Sequence, residues 1–244
     1  MAVIIELKNV IFSAQNRNVI QGVSVEYETG KTTAIVGPSG GGKSTVLKLS
    51  AGILIPNHGE VLYKEKNIAL MNRVENLNFR RESAFVFQDS ALWANQDLFQ
   101  ILELPLKIHN PQMSKKERAD RIREVTEEVG YKNDLAIRPA RLSMGEQKLI
   151  AMARAMLLNP SLFFLDEWTE SLDETAADRL INIIRKKQKI GVTILFVCHD
   201  MRIIKDLADN VIVIAEGKIA FKATKEQVIN DVELSNYLRM GMAL

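Results

Sequence analysis

The sequence predicts an α/β fold in which a largely parallel sheet is covered by helices, with an antiparallel β edge near the start and an α-helical subdomain inserted midway. Three observations predict it. Short β-branched and aromatic runs, KTTAIVG, SAFVFQ, SLFFLD, VTILFVC and NVIVIA, are apolar almost throughout, the pattern of strands buried on both faces. Helical stretches such as 174–188 alternate with them. Between Gln88 and Ser143 the β signal vanishes and helical patterning takes over. The 244 residues suffice for one large core with an embedded subdomain. That division places the core at 1–90 and 159–244 and the helical part at 91–158, with no internal repeat or low-complexity linker.

Taken in order, IIELKNVIF and GVSVEYE alternate apolar and polar residues, as half-buried antiparallel strands do. Glu6 and Lys8 interrupt the apolar start, so MAVIIELKNV reads as a first strand and not as a secretion signal. KTTAIVG runs into a glycine cluster, and TVLKLSAG follows as a helix. DLFQILELPLKIH is helical up to Pro105, where the missing N–H predicts a stop. SKKERADRIREVTEEVG opens on the capping box Ser114/Glu117 and closes on Gly130. A further capping box, Ser143/Glu146, predicts a helix beginning at Met144. Such a helix start is equally an anion site, because its first N–H groups lack partners and carry the positive end of the dipole. From this segment alone both readings stand.

Bulk properties narrow the classes. A net charge of +2 with 25% charged residues gives no nucleic-acid or polybasic membrane footprint. The single cysteine, Cys198, excludes an intrachain disulfide, fits a reducing compartment and reads as a small buried residue. Even NVIVIAEGKIAF is broken by Glu216 and Lys218, so no window approaches a membrane span and any action at a membrane depends on other chains.

Chemistry enters with GPSGGGKST, residues 37–45, which fits G-x-x-x-x-G-K-[ST] between a strand and a helix. In that loop Gly37, Gly40, Gly41 and Gly42, with Pro38 and Ser39 between the first two, let the backbone turn its N–H groups inward as a nest around the β-phosphate of a nucleotide. Lys43 brings a point charge to the β- and γ-phosphates, Ser44 offers a hydroxyl to Mg²⁺, and Thr45 completes the segment. A metal carboxylate is then required, and SLFFLDE supplies Asp166 and Glu167. Two acids ending a buried strand are costly unless a cation or water satisfies them. Asp166 suits Mg²⁺, held through its waters; Glu167 suits a general base on the attacking water.

With Gln88 in VFQDS, Ser143 in LSMGEQ, Asp173 in ESLD and His199 in VCHD, order and spacing resemble the ATP-binding cassette family along essentially the whole chain. The resemblance implies an ATPase with a P-loop NTPase (RecA-like) core and an inserted helical subdomain, forming a head-to-tail homodimer around two Mg-ATP. It implies that Gln88 contacts Mg²⁺ and the attacking water while linking to the transport partner. Asp173 would pass information across the dimer, and His199 would reach the γ-phosphate. Ser143, Gly145 and Glu146 would form the signature motif, facing ATP held on the other subunit. In isolation each has a plainer reading: Gln88 as a polar strand end, Asp173 as a helix N-cap, His199 as a hydrogen-bonded strand-end histidine. The chain also departs from the family pattern. Met144 and Glu146 replace the first glycine and the glutamine of L-S-G-G-Q, and Trp168 replaces proline. Ala14 stands where an adenine-stacking aromatic is usual, with Phe12 on the same strand face to take its place.

The implied function is the ATP-hydrolysing subunit of a membrane transporter. It would lie in the cytoplasm, peripheral on the inner face of the inner membrane, through integral membrane permease subunits docked near Gln88. A soluble cassette ATPase acting on nucleic acid or ribosomes would bring paired cassettes, a coiled coil or a zinc-bearing insertion. A degenerate nucleotide sensor would lack catalytic side chains. FQDSALWANQDLFQILELPLKIH is similar to the matching part of Mla-type lipid-transport ATPases, and LSNYLRMGM to their C-terminal end. That similarity implies phospholipid as substrate, with an MCE-type lipid-binding protein and a small regulatory subunit as partners, against amino-acid or other small-solute import.

Overall fold

A computed structural model describes residues 2–15 and 17–230. The first half contains β1 (Val3–Ala14), β2 (Arg17–Glu28), β3 (Thr32–Val36), α1 (Lys43–Ser50), β4 (His58–Tyr63), β5 (Lys66–Asn67), α2 (Arg73–Glu82) and β6 (Ser83–Val86). Three helices follow: α3 (Leu98–His109), α4 (Lys115–Val129) and α5 (Met144–Met156). The chain then runs β7 (Leu162–Asp166), α6 (Glu174–Lys189), β8 (Thr193–Val197), α7 (Met201–Leu207), β9 (Asn210–Ala215), β10 (Lys218–Thr224) and α8 (Lys225–Asn230).

Six strands form one sheet in the order β10-β9-β3-β8-β7-β6, parallel except for β10. The strands that opened the chain are antiparallel, as their alternation predicts. They form a sheet of their own, β2-β1-β4-β5, instead of the margin of the parallel one. The reason lies in what they cover. Ile5, Leu7, Val23 and Val25 share a core with Val46, Leu47 and Leu49 of α1 and with one face of the parallel strands, including Ile35, Phe164, Leu195 and Ile212. The antiparallel sheet is therefore a lid over α1.

Alternate residues of the same strands, Ala34, Phe163, Leu165, Ile194 and Phe196, face a second core with α3, α4, α5 and α6. Burial on both faces explains the near-continuous apolar runs. Each of the larger side chains, Phe163, Leu165, Ile194 and Phe196, contributes about 1.5–3 kcal/mol by leaving water.

One helix differs from expectation. α3 does not stop at Pro105 but continues to His109. Pro105 has no N–H for the Ile101 carbonyl, at a cost of about 3 kcal/mol. Beyond it Leu106 is almost fully buried, and Lys107 reaches back one turn to Glu103 at 2.6 Å. Burial of Leu106 together with Ile101 and Leu102 outweighs the lost bond. α4 begins and ends where its signals place it, on the Ser114 capping box and on Gly130 in the left-handed region, φ 87°. Among the described residues no helix is long and apolar enough to cross a membrane. The segment LSNYLRMGM, 234–242, lies outside the described residues.

Candidate active site

The site grows from the C-terminal ends of the parallel strands. β3 ends at Val36 and the chain turns at Gly37, φ 142°, where an added Cβ would lie 2.0 Å from the Ile214 carbonyl oxygen. Only glycine fits that crossing. The loop closes on Gly42, φ 106°, the residue preceding α1, which offers that helix no side-chain cap. Lys43 folds back over the loop and donates to the Pro38 carbonyl at 2.8 Å. Burial pulls its pKa down, opposed by the charges of Glu167 and Asp166.

Ser44 Oγ donates to Asp166 Oδ1 at 2.8 Å, joining the start of α1 to the end of β7. Asp166 is fully buried, and burial pushes its pKa up. Its Oδ2 has no hydrogen-bond partner. An orphaned carboxylate oxygen in the interior is costly. A small hard cation beside Ser44 and Asp166 would satisfy it, so these residues fit Mg²⁺.

Glu167 follows with a left-handed backbone, φ 44°, its N–H held by the Val197 carbonyl. Its carboxyl is pushed up to about 7, first by burial and then by Asp166 and Glu170. His199, past the end of β8, lies with Nε2 2.9 Å from Glu167 Oε1. Burial and then the Lys43 charge lower its pKa, opposed by the charge of Glu170. Gln88 is exposed, and its Nε2 donates to Glu170 at 3.2 Å. The structure does not bring its side chain into hydrogen-bond contact with Ser44 or Asp166.

The signature segment forms the start of α5. Ser143 Oγ accepts from the Glu146 N–H at 3.2 Å, while Glu146 Oε2 accepts from both the N–H and Oγ of Ser143 at 2.9 Å. Asn133 Nδ2 donates to Glu146 Oε1 at 2.8 Å. The bonds with Ser143 and Asn133 hold the Glu146 carboxyl below its usual range. At Gly145 a Cβ would sit 3.0 Å from the Ser171 carbonyl, so this helix start packs against the loop leading to Asp173. Met144 is 68% exposed. Asp173 caps α6, accepting from the Ala176 N–H at 2.8 Å. Among the described residues, no hydrogen bond joins Ser143, Gly145 or Asp173 to the 37–45 loop.

Phe12 is half-buried on β1, opposite Ile20 of β2, and an added Cβ at Gly42 would lie 2.8 Å from Ile20 Cδ1. The strand paired with that of Phe12, β2, therefore borders the phosphate loop, while Ala14 is exposed at the end of β1. Trp168 is fully buried, with its indole N–H unpartnered.

Two cations that sequence reasoning missed stand on α5. Lys148 Nζ donates to the carbonyls of Phe87, at 3.4 Å, and Gln88; Arg154 donates to those of Ser90 and Ala91 at 3.0 and 2.7 Å. A signal existed, because Lys148 shares a helical face with Ala151, Met152 and Ala155, all buried.

A strand, a glycine-rich turn, a lysine, a serine and a buried strand-end acid paired across that turn define a nucleoside-triphosphate-hydrolysing P-loop enzyme. The family model for ABC transporters matches residues 20–170, and this chain belongs to that family. It is an ATPase of the transporter-subunit kind. It is 30% identical to the intermembrane phospholipid transport system ATP-binding protein MlaF of Haemophilus influenzae, over 95% of this chain and 88% of that protein. It is 32% identical to the methionine import ATP-binding protein MetN of Clostridium acetobutylicum, over 88% and 67% respectively. A solved dimeric post-hydrolysis ATP-binding cassette with ADP and Pi superposes with a TM-score of 0.83 at 27% identity, covering 91% of this chain and 98% of that one.

Proposed function

We propose that this chain hydrolyses ATP within a phospholipid transporter of the MCE type, as a head-to-tail homodimer around two Mg-ATP. The observation that carries the nucleotide chemistry is the uncapped start of α1 facing a buried Asp166 oxygen that lacks a partner. The lipid reading is supported by the MlaF similarity and by the likeness of the stretch from Phe87 through α3 to the matching part of Mla-type lipid-transport ATPases.

In this reading residues 37–45 bind the triphosphate, and Phe12 supports the base. Ser44 and Asp166 hold Mg²⁺, and Gln88 joins them by leaving Glu170. When bound, the metal neutralises charge on the β- and γ-phosphates. Glu167 accepts the proton of a water whose oxygen bonds the γ-phosphorus, while the bond from phosphorus to the β-γ bridging oxygen breaks and ADP departs. A base titrating near neutrality suits that transfer. His199 orients the carboxyl and reaches toward the γ-phosphate. The partner copy supplies Ser143, Gly145 and Glu146 to the same nucleotide, and Asp173 relays across the interface.

Core 1–90 with 159–244 and helical subdomain 91–158 would move as two bodies, with the permease seated near Gln88. The complex would sit on the cytoplasmic face of the inner membrane, with an MCE lipid-binding protein, a small regulatory subunit and no nucleic acid. The methionine-import relative favours a second reading, a small-solute importer. Tagged Glu167→Gln protein, with ATP and Mg²⁺, should capture a permease, an MCE protein and phospholipid from solubilised native membranes. A different permease without lipid would select the second reading, and soluble partners alone would overturn transport.

A further inference from the structure

The sulfur atoms of the chain differ sharply in access. Cys198 is the single thiol, 3% exposed, with its sulfur accepting the Asp200 N–H at 3.3 Å. Burial pushes that thiol up to about 12, so it offers almost no thiolate to an oxidant. The thioethers are less uniform. Met152 and Met156 are buried, and Met71, Met113 and Met201 are half-buried. Among the described residues only Met144 stands in the open, 68% exposed. A dissolved peroxide therefore meets its sulfur before the others.

A single exposed apolar residue is ordinary. The place of this one is not. Met144 is the first residue of α5 and lies inside its cap, where Ser143 and Glu146 exchange bonds. Asn133 holds the other oxygen of Glu146, and Gly145 packs against the Ser171 carbonyl. All of these contacts are made without the Met144 side chain, so a change at its sulfur leaves the subunit's own fold intact. In the head-to-tail dimer proposed above, the same helix start faces the partner's nucleotide, and the thioether passes from water into the interface.

We propose that Met144 is an oxidation site whose sulfoxide opposes ATP-driven closure of the dimer. The sulfur lone pair attacks one oxygen of a hydroperoxide and the O–O bond breaks. The proton of the transferred oxygen passes to the departing oxygen, which leaves as water or, from an alkyl hydroperoxide, as an alcohol. Sulfur is oxidised by two electrons and the peroxide is reduced by two. The product carries a partial negative oxygen beside the Glu146 carboxyl, where a triphosphate must arrive. In the open subunit water satisfies that oxygen, whereas closure strips the water away. Oxidation therefore favours the open state without touching residues 37–45. A dithiol-dependent sulfoxide reductase reverses the step, two thiols becoming a disulfide while the oxygen leaves as water. The inference rests on the head-to-tail dimer.

The test uses the full-length protein carrying Glu167→Gln, before and after hydrogen peroxide. Peptide mass spectrometry locates the added oxygen, a fluorescent titration reads nucleotide binding, and light scattering reads ATP-driven dimers. Treated protein should gain one oxygen at Met144 and bind nucleotide within about twofold of untreated protein. Its dimers should be about tenfold or more weaker, the scale of one polar group buried unpaired. Methionine sulfoxide reductase should restore them. Adding Met144→Leu, an apolar side chain of similar volume, should make dimerisation indifferent to peroxide. A Met144 that resists peroxide, treated protein that dimerises as well as untreated, or an equal loss with Met144→Leu would each overturn the proposal. Untreated protein that binds ATP and stays monomeric would instead overturn the dimer reading beneath it.

Discussion

The start of α1 and the start of α5 make the informative comparison. Both are helix N-termini, and both leave first-turn N–H groups to satisfy. Their solutions are opposite. α5 is closed by its own chain, with Ser143 and Glu146 exchanging bonds. α2, α3, α4, α6 and α7 likewise carry side-chain caps, and α8 is closed by Thr224 and Gln227. Among the described helices α1 alone begins on a glycine with nothing to offer. A helix left open in a protein that otherwise caps carefully is waiting for an external anion. In the proposed dimer the capped start would meet its phosphate with groups already in use, which suits a contact made and released in each cycle.

The comparison can be broken or sharpened in order of expected effect. Glu167→Gln removes the base beside the open helix and should lower turnover at least a hundredfold, the usual scale for general-base loss, while ATP-driven dimers persist in size-exclusion chromatography with light scattering. Turnover of the native enzyme should rise as pH passes upward through the Glu167 value of about 7, because the base works only when deprotonated. Lys43→Ala should weaken nucleotide binding about ten- to hundredfold in a fluorescent titration, as expected for a lost charge-assisted contact. Ser143→Ala should leave that titration unchanged and instead weaken ATP-driven dimerisation, with about 1 kcal/mol of helix-cap stability lost in thermal melts. Equal effects of these two variants on monomer binding would abolish the distinction between the helix starts.

The smallest effect is on stability. The folded Glu167 carboxyl sits at about 7 against an ordinary 4.5, so its burial costs nothing below the unfolded value and stability is lost as pH rises through the folded one. Glu167→Gln should therefore be more stable to denaturant than wild type at pH 8, by about 1–2 kcal/mol after solvent screening, and equally stable at pH 4.

Residues 37–45 and the acids at 166 and 167 were legible because each lies in one contiguous run whose chemistry is local. The parallel strands were legible because burial on two faces leaves little room for polar residues. Alternation in IIELKNVIF identified antiparallel pairing, but it carries no information about which sheet the strands join. Pro105 misled because local stereochemistry yielded to the burial of Leu106. Lys148 and Arg154 were unread because their partners lie 60 or more residues earlier and are backbone carbonyls, which any sequence provides.

The departure at Trp168 has a spectroscopic consequence. The chain has two tryptophans, one fully buried and peptide-bonded to Glu167, the other, Trp93, 46% exposed. Iodide will extinguish the emission of Trp93 and spare the bluer emission of Trp168. What survives is a native fluorophore next to Glu167, placed to time nucleotide arrival in stopped flow without a label.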